Sequence, residues 1–192
     1  MKIICLLGSP RPKGNSATVA NHFCETAEKL GSQVQTFALN KLSFRGCQGC
    51  MTCKTKLDRC VLEDDLTQVL DAIHEADVLV MATPTYFAEI SSQLKTFMDR
   101  TYSYLASDYL SNPRPSRLPP GKKLVFIQTQ GQPEENMFTD VFQRYEGIFK
   151  WYGFGDTHLI RSCGVRQVDD PSSQEEAFKL AEETAEKLVS SI

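Results

Sequence analysis

The chain has 192 residues, of which 41 % are hydrophobic and 23 % are charged, and its formal net charge at pH 7 is −3. This balance, without a long basic run, disfavours nucleic acid as a partner, because a phosphate backbone requires a face rich in lysine and arginine. No apolar run approaches the ~18 residues that span a bilayer, and the short run Ile3–Leu7 is not typical of a signal peptide, so we expect neither a membrane protein nor an exported one.

Short apolar segments alternate with helical patterns along the chain. Strands are predicted at 2–7, 33–39, 77–82, 122–129 and 157–161, and helices at 15–30, 64–75, 92–104, 136–151 and 173–190. Strands that alternate with helices favour an open parallel sheet with helices on both faces. We therefore expect a three-layer α/β/α fold of the flavodoxin-like type, a doubly wound five-stranded parallel sheet in the order 2-1-3-4-5. Residues 1–192 would form this single domain, with a cysteine-rich loop at 46–60 and a proline-rich segment at 111–121 as insertions.

The first predicted strand ends in a loop of small and polar residues, GSPRPKGNS at 8–16, directly before a helix. A helix N-terminus offers unpaired N–H groups and partial positive charge, and so favours an anion. The hydroxyl groups of Ser9, Ser16 and Thr18 and the guanidinium of Arg11 suit a phosphate monoester. The loop matches neither the P-loop nor the G-x-G-x-x-G pattern, which disfavours a nucleoside triphosphate enzyme and an ordinary dinucleotide-binding dehydrogenase. A tight turn with an ordinary helix cap remains the alternative.

Two further loops are predicted at the same edge of the sheet. TPTYFAEIS at 83–91 places aromatic residues between small polar ones, and TQGQ at 129–132 ends the fourth strand. Aromatic side chains can stack on a flat heterocycle, and loop N–H groups can donate to its edge. Taken alone, Tyr86 and Phe87 could equally be core residues. Because ligands bind outside the carboxyl ends of the strands in such sheets, the three loops together indicate a ligand with a phosphate and a flat ring.

The motifs GSPRPKGNS, TPTYFAEISSQLKTFMDR and TQGQ together resemble those of the NADPH-dependent FMN reductase family within the flavodoxin-like superfamily. The resemblance covers residues 1–132, and the order of strands and helices extends it to the end of the chain. It implies that the first loop binds the FMN phosphate through Ser9, Arg11, Asn15, Ser16, Ala17 and Thr18. It also implies ring contacts from Pro84, Thr85, Tyr86, Phe87, Thr129, Gln130 and Gly131. No catalytic side chain is assigned, because the flavin performs the chemistry and the protein supplies placement and electrostatics.

Four of the seven cysteines, Cys47, Cys50, Cys53 and Cys60, form the spacing C-x2-C-x2-C-x6-C. An odd total excludes complete pairing in disulfides, and clustered thiols in a reducing cytoplasm indicate metal ligands or redox groups. Two-residue gaps allow thiolates to converge on one centre, which suits a [4Fe–4S] cluster or zinc, while free or redox-active thiols remain a third possibility. The loop resembles that of the iron–sulfur flavoproteins, a subset of the same family, and this resemblance favours the cluster.

The resemblance implies an FMN-dependent oxidoreductase that passes electrons between NAD(P)H or a ferredoxin-like donor, FMN and an acceptor. It also implies a homodimer or homotetramer. The lack of an export signal and the clustered thiols favour a cytoplasmic location. Two alternatives stay open on the sequence alone. One is a non-catalytic electron carrier like flavodoxin itself, and the other is a zinc-stabilised interaction module with an empty flavin pocket.

Overall fold

Strands and helices alternate in the computed structural model, which describes residues 1–166 and 174–190. The strands β1 to β6 comprise Lys2–Leu7, Gln33–Ala38, Val78–Tyr86, Glu89–Ile90, Lys122–Thr129 and Phe154–Ser162. The helices α1 to α6 comprise Asn15–Lys29, Thr52–Thr55, Leu66–Glu75, Ser92–Arg100, Thr139–Trp151 and Glu175–Ser190. Two 3-10 helices lie at Leu39–Lys41 and Thr101–Tyr104.

The five long strands form a parallel sheet in the order β2-β1-β3-β5-β6. When the two-residue β4 is left out of the numbering, this order is the predicted 2-1-3-4-5, and the predicted fold class is confirmed. The sheet differs from the prediction by β4, which pairs antiparallel with the end of β3. The direction of the strand order reverses between β1 and β3, so the crevice at their carboxyl ends is the switch point at which such sheets bind ligands.

Both faces of the sheet are buried, because helices cover each of them. Successive side chains of a strand point to opposite sides and so pack into two different cores. In β1, Ile4 and Leu6 pack into a core that includes apolar residues of α3, α4 and α5. Ile3 and Cys5 pack on the other face, in a core that includes residues of α1 and α6. Burial on both sides explains why the central strands are continuous apolar runs rather than alternating patterns.

The main difference from the predicted elements lies at the end of β3. Residues 83–91 were expected to form a loop, whereas β3 continues to Tyr86 and returns as β4. The two turn residues, Phe87 and Ala88, have φ angles of +50° and +64°. A two-residue hairpin turn of this kind is usually signalled by Asn-Gly or Asp-Gly, and the sequence Phe-Ala carries no such signal.

Smaller differences concern the ends of other elements. The helix predicted at 92–104 is α-helical only to Arg100 and then tightens into a 3-10 turn. The strand predicted at 157–161 is longer and spans Phe154–Ser162. Ser173, the predicted start of the last helix, lies outside the described residues. Within the described part of the chain, no helix combines the length and the apolar character that crossing a bilayer requires.

Candidate functional site

The first loop forms one wall of a cavity of about 280 Å³ at the carboxyl ends of β1, β3 and β5. The N–H group of Gly8 donates a 2.8 Å hydrogen bond to the carbonyl oxygen of Ala82, which ties the loop to β3. At Gly14 a Cβ atom would lie 2.8 Å from Ser9 Oγ and 3.2 Å from the carbonyl oxygen of Arg11. Glycine at this position therefore avoids close contacts in the tight turn that brings this loop to the start of α1.

Ser16, in the first turn of α1, has a buried hydroxyl that the described residues leave without a partner. Its side chain is 1 % exposed. A buried hydroxyl without a partner costs about 1–3 kcal/mol, so its presence is explained if a ligand of this cavity accepts its hydrogen bond. Gly14 provides no side-chain cap, and the first hydrogen bond of the helix runs from Thr18 N–H to the carbonyl of Gly14. The N–H groups before Thr18 therefore lack intrahelical acceptors and suit an anion.

Asn15, Ala17 and Thr18 have structural partners of their own. The amide of Asn15 lines the cavity, but it donates to the carbonyl of Val165 at 3.0 Å and accepts from Gln174 Nε2 at 2.8 Å. Thr18 Oγ1 donates to the carbonyl of Asn15 at 2.9 Å, and Ala17 is buried in the core. Neither Ala17 nor Thr18 is among the described residues that line the cavity. Of the six predicted phosphate ligands, the cavity therefore brings together Ser9, Arg11, Asn15 and Ser16.

The opposite wall of the cavity contains most of the residues predicted to contact a ring: Pro84, Thr85, Tyr86, Thr129, Gln130 and Gly131. Pro84 and Thr129 are direct neighbours in the sheet, because β3 and β5 pair in parallel there. Tyr86 is half-exposed, so its ring is open to a ligand or to solvent. The two strand ends therefore meet the phosphate-type loop across one cavity, as the sequence predicted.

Gln130 shows how the second of these strand ends is held. Its side chain is 2 % exposed, and its Nε2 donates to the carbonyl oxygens of Gln132 and Glu134, both at 3.0 Å. Its Oε1 accepts a 2.6 Å hydrogen bond from the guanidinium of Arg161. The backbone of Gln130 is engaged as well, because its N–H donates to the carbonyl of Ser162 at 2.9 Å and its carbonyl accepts from the N–H of Val165 at 3.0 Å. These bonds fix the end of β5 at the wall of the cavity.

Phe87 lies apart from the other predicted ring contacts. It occupies the tip of the β3–β4 hairpin, where its relative exposure of 108 % means that none of the described residues packs against it. It is not among the described residues that line the cavity. The sequence therefore predicted a ring contact at a position that is exposed at the tip of a turn.

Two residues that line the cavity, Val165 and Arg166, were not predicted, and Gly14 lines it as part of the first loop. Arg166 brings a second guanidinium to the cavity beside Arg11, and its Nε donates a 2.9 Å hydrogen bond to the carbonyl of Gly131. Val165 and Arg166 follow β6, whose end pairs with the end of β5. Their position directly after the last strand is the signal in the sequence, because ligands lie at the carboxyl ends of parallel strands.

The four clustered cysteines line a single small cavity of about 70 Å³. Cys47 and Cys50 are exposed and Cys53 and Cys60 are partly buried, and none of them forms a disulfide. In the part of the chain that the structure describes, no group of three or more His, Cys, Asp or Glu side chains is positioned to hold a metal ion. The four thiols therefore line one cavity, whereas their predicted convergence on one metal centre is not confirmed.

The surroundings of two of these thiols affect their pKa values in opposite directions. Hydrogen bonds from the hydroxyl and the N–H group of Thr52 lower the pKa of Cys50. Burial raises the pKa of Cys53, and the positive charge of Lys54 opposes this increase. The thiolate, which is the form that binds metals, is therefore more accessible at Cys50 than at Cys53.

Comparison with known proteins gives relatives of two kinds. An iron–sulfur flavoprotein of Archaeoglobus fulgidus is 31 % identical over 135 residues, which are 70 % of this chain and 58 % of that protein. The chain spans about half the length of the curated relatives it matches. Among solved structures, an NAD(P)H:quinone oxidoreductase of Methanothermobacter marburgensis has a TM-score of 0.77 and 20 % identity, over 98 % of this chain and 96 % of that one.

A further solved structure, an FMN-dependent NADH-azoreductase of Bacillus anthracis in complex with FMN, has a TM-score of 0.71 and 20 % identity. The alignment covers 98 % of this chain and 100 % of the azoreductase. At this level of identity, the similarity to both solved structures establishes the fold. A family model described as a flavodoxin-like fold matches residues 1–189. With the sheet order and this match in agreement, the chain belongs to the flavodoxin-like fold family.

Proposed function

We propose that this chain binds FMN in the 280 Å³ cavity and is an oxidoreductase that transfers electrons from NAD(P)H to an acceptor such as a quinone. The observation that carries the proposal is the buried, unpartnered hydroxyl of Ser16 at the start of α1, in a residue that lines the same cavity as the ends of β3 and β5. The names of the relatives support it, since they include iron–sulfur flavoproteins and FMN-dependent NADH:quinone oxidoreductases.

In this proposal, the residues of the first loop hold the FMN phosphate. The hydroxyl of Ser16 and the N–H groups of the first turn of α1 would donate hydrogen bonds to the phosphate oxygens, and Arg11 would supply positive charge. Arg166 adds a second positive charge from the end of β6. Ala17 contributes only its N–H group, and Asn15 and Thr18 stabilise the turn rather than the ligand.

The ring would lie between the ends of β3 and β5. Pro84, Thr85 and Tyr86 form one side of that space, and the backbone of Thr129, Gln130 and Gly131 forms the other. FMN, when bound, accepts electrons in pairs and releases them singly or in pairs. No side chain is needed as a nucleophile or general base, so the contribution of these residues is to position the ring and to exclude water.

We further propose that Cys47, Cys50, Cys53 and Cys60 hold a [4Fe–4S] cluster. Four sulfur donors on one cavity suit iron–sulfur or zinc chemistry, and the compact C-x2-C-x2-C run favours the cluster. The name of the Archaeoglobus relative supports this choice. Iron and acid-labile sulfide in equal amounts would distinguish a cluster from zinc, which would appear alone.

The proposal also covers the electron donor, the assembly, the domain organisation and the compartment. A ferredoxin-like protein is an alternative electron donor, and a homodimer or homotetramer is the proposed assembly. Residues 1–192 would act as one FMN-binding domain, with 46–60 and 111–121 as insertions. All seven cysteines are free thiols, which is consistent with a reducing compartment such as the cytoplasm.

Anaerobic purification followed by FMN titration tests the binding step. Quenching of flavin fluorescence should saturate at one FMN per chain, and anaerobic stopped-flow mixing with NADH, NADPH or reduced ferredoxin should bleach the flavin bands. Binding without reduction by any donor would favour a non-catalytic electron carrier. An absence of saturable binding would contradict the proposal at its first step.

The visible spectrum tests the cluster independently of the flavin. A cluster adds a broad, bleachable shoulder to the resolved flavin bands. Cys50→Ser should remove the shoulder and keep the flavin bands, whereas Cys163→Ser, which changes a cysteine outside the cavity, should keep both. A shoulder that survives Cys50→Ser would contradict the assignment of the ligands.

A further inference from the structure

Arg100 is buried beneath the cysteine loop although it carries a permanent charge. Its side chain is 0 % exposed, and it extends from the end of α4. A guanidinium has five N–H donors, and the structure provides an acceptor for each of them. These acceptors are the two oxygens of Asp64, the carbonyl oxygens of Arg45 and Leu62, and Cys60 Sγ.

The contacts of Arg100 have two different roles: those with Asp64 fix the guanidinium, and the one with Cys60 is directed at the cavity. Asp64 accepts from both terminal nitrogens of Arg100, at 2.8 and 3.3 Å, so the plane of the guanidinium is fixed. In that orientation Nε–H points at Cys60 Sγ, at 3.1 Å. Arg100 and Cys60 both line the 70 Å³ cavity of the cysteine loop. The charge on Asp64 therefore aims a cationic donor at the sulfur atom of one of the four cysteines.

We infer that Arg100 is a positioning residue for the sulfur centre: it orients Cys60 and stabilises negative charge on the Cys60 sulfur. This inference rests on the proposed function, because it assumes that Cys60 is a cluster ligand. Hydrogen bonds and positive charge at a ligand sulfur favour the reduced state of a cluster, which is the more negative one. Arg100 thus raises the reduction potential of the centre, and Asp64 acts through Arg100 by fixing its orientation.

The experiment compares Arg100→Gln and Arg100→Lys with the wild type after anaerobic loading with iron and sulfide. Arg100→Gln removes the charge and most of the donors, and we expect iron loss to a chelator to be about 10-fold faster or more. The midpoint potential should also become more negative. Arg100→Lys keeps the charge but cannot supply the planar fork, so its potential should lie between the other two.

Lys122→Gln is the matched control. Lys122 is also a buried cation, but its Nζ donates to the carbonyl oxygens of His74 and Ala76, at the opposite end of the sheet from the cysteines. Its replacement should lower the stability of the fold in a similar way and leave the potential and the iron-loss rate at wild-type values. If the midpoint potential changes in proportion to the free energy of unfolding in all variants, including Lys122→Gln, the inference is overturned.

Two further outcomes separate this inference from the proposed function. If the wild type cannot be loaded with iron, the cluster proposal fails and this inference fails with it. If the wild type loads and Arg100→Gln has the same potential and iron-loss rate, the inference alone is overturned. Should the variants not fold, a crystal structure of the loaded wild type decides: Nε of Arg100 within 3.5 Å of Cys60 Sγ supports the inference, and a longer separation with another donor at the sulfur contradicts it.

Discussion

The hydroxyl of Ser91 donates a 2.7 Å hydrogen bond to the carbonyl oxygen of Gly8, and so connects the start of α4 to the end of β1. The N–H group of Ser91 donates to Thr83 Oγ1 at 3.0 Å, and Ser91 Oγ also accepts from the N–H of Leu94 as the cap of α4. One buried serine therefore fixes the relative position of the phosphate-type loop and of the strand end that faces it.

Gly8→Ala should disturb this connection. A Cβ atom at Gly8 would lie 2.9 Å from Ser91 Oγ and 3.0 Å from both the carbonyl oxygen of Ala82 and Leu94 Cβ. Since two of these atoms belong to fixed elements of the core, we expect the free energy of unfolding to fall by about 1–3 kcal/mol. Urea denaturation monitored by circular dichroism measures the change, and FMN affinity should fall with it.

Gly147→Ala provides the control for that prediction. Gly147 lies inside α5, and a Cβ atom there would meet nothing within 4 Å. Because alanine has the higher helix propensity, this variant should be more stable by up to about 1 kcal/mol. Equal stability of the wild type and Gly8→Ala would show that the contact with Ser91 is more tolerant than its geometry indicates.

The sequence predicted the sheet well because burial on both faces leaves a local signal. The apolar runs of β1, β3 and β5 can be recognised without knowledge of their neighbours. The β3–β4 hairpin was missed because its turn uses Phe87 and Ala88 in a left-handed conformation, which the antiparallel pairing of β3 with β4 requires. The local sequence there has none of the residues that prefer such a conformation.

Side-chain partners were harder to predict than strand positions. Ser16 and Thr18 are both hydroxyl residues in the first turn of α1, yet one is unpartnered in the cavity and the other bonds to the backbone. The two side chains differ in their position around the helix axis, and the residue type alone does not predict this difference. The contacts of Arg100 were missed because its partners lie 36 to 55 residues away in the sequence.

Ser16→Ala should affect the ligand rather than the fold. The hydroxyl has no partner among the described residues, so its removal in the FMN-free protein should leave stability unchanged or raise it by up to about 1 kcal/mol. If the hydroxyl donates to the FMN phosphate, the dissociation constant should rise by about 10-fold or more, since hydrogen bonds to charged groups contribute ~1.5–3 kcal/mol. Thermal unfolding and a fluorescence titration measure the two effects separately.

Ser32→Ala is the control, because Ser32 Oγ is also buried without a partner but lies at the opposite end of the sheet. This variant should show the same small effect on stability and wild-type FMN affinity. If Ser16→Ala binds FMN as tightly as Ser32→Ala does, the hydroxyl of Ser16 does not contact the phosphate.

Ala88→Gly should stabilise the hairpin. The φ angle of +64° is unfavourable for alanine and accessible to glycine, so relief of this strain should raise the free energy of unfolding by about 1 kcal/mol. Ala72→Gly, within α3, serves as the comparison and should lower it by a similar amount, because glycine weakens a helix. If both substitutions destabilise the protein equally, the hairpin turn does not have the left-handed conformation described above.

Phe87→Ala and Tyr86→Ala separate the two aromatic residues of the hairpin. None of the described residues packs against Phe87, so its truncation should leave stability within about 0.5 kcal/mol of the wild type. Tyr86 lines the cavity, and its truncation should weaken FMN binding more than that of Phe87 does. Fluorescence titrations of the two variants measure the FMN affinities. A larger loss of affinity in Phe87→Ala would show that Phe87, rather than Tyr86, contacts the ring.

Asp64 should make the stability of the fold depend on pH in the acid range. Burial raises the pKa of this carboxyl, but hydrogen bonds from Arg100 and from the N–H group of Arg45 outweigh burial and hold the pKa below its usual range. A carboxyl whose pKa is lower in the folded state stabilises the protein above its unfolded pKa of about 3.9. That stabilisation is lost as the pH falls through the lower folded-state pKa.

Asp64→Asn tests this dependence by urea denaturation at pH 7 and at pH 3. At pH 7 the variant leaves the buried charge of Arg100 uncompensated, and we expect a loss of about 3 kcal/mol. Between pH 7 and pH 3 it should lose less further stability than the wild type, because the group that titrates is absent. Asp58→Asn, an exposed carboxyl of the same loop, should follow the wild type at both pH values. If Asp64→Asn and the wild type decline in parallel on acidification, the Arg100–Asp64 pair is not the source of the acid sensitivity, and the orientation of Arg100 towards Cys60 would then depend on its carbonyl contacts alone.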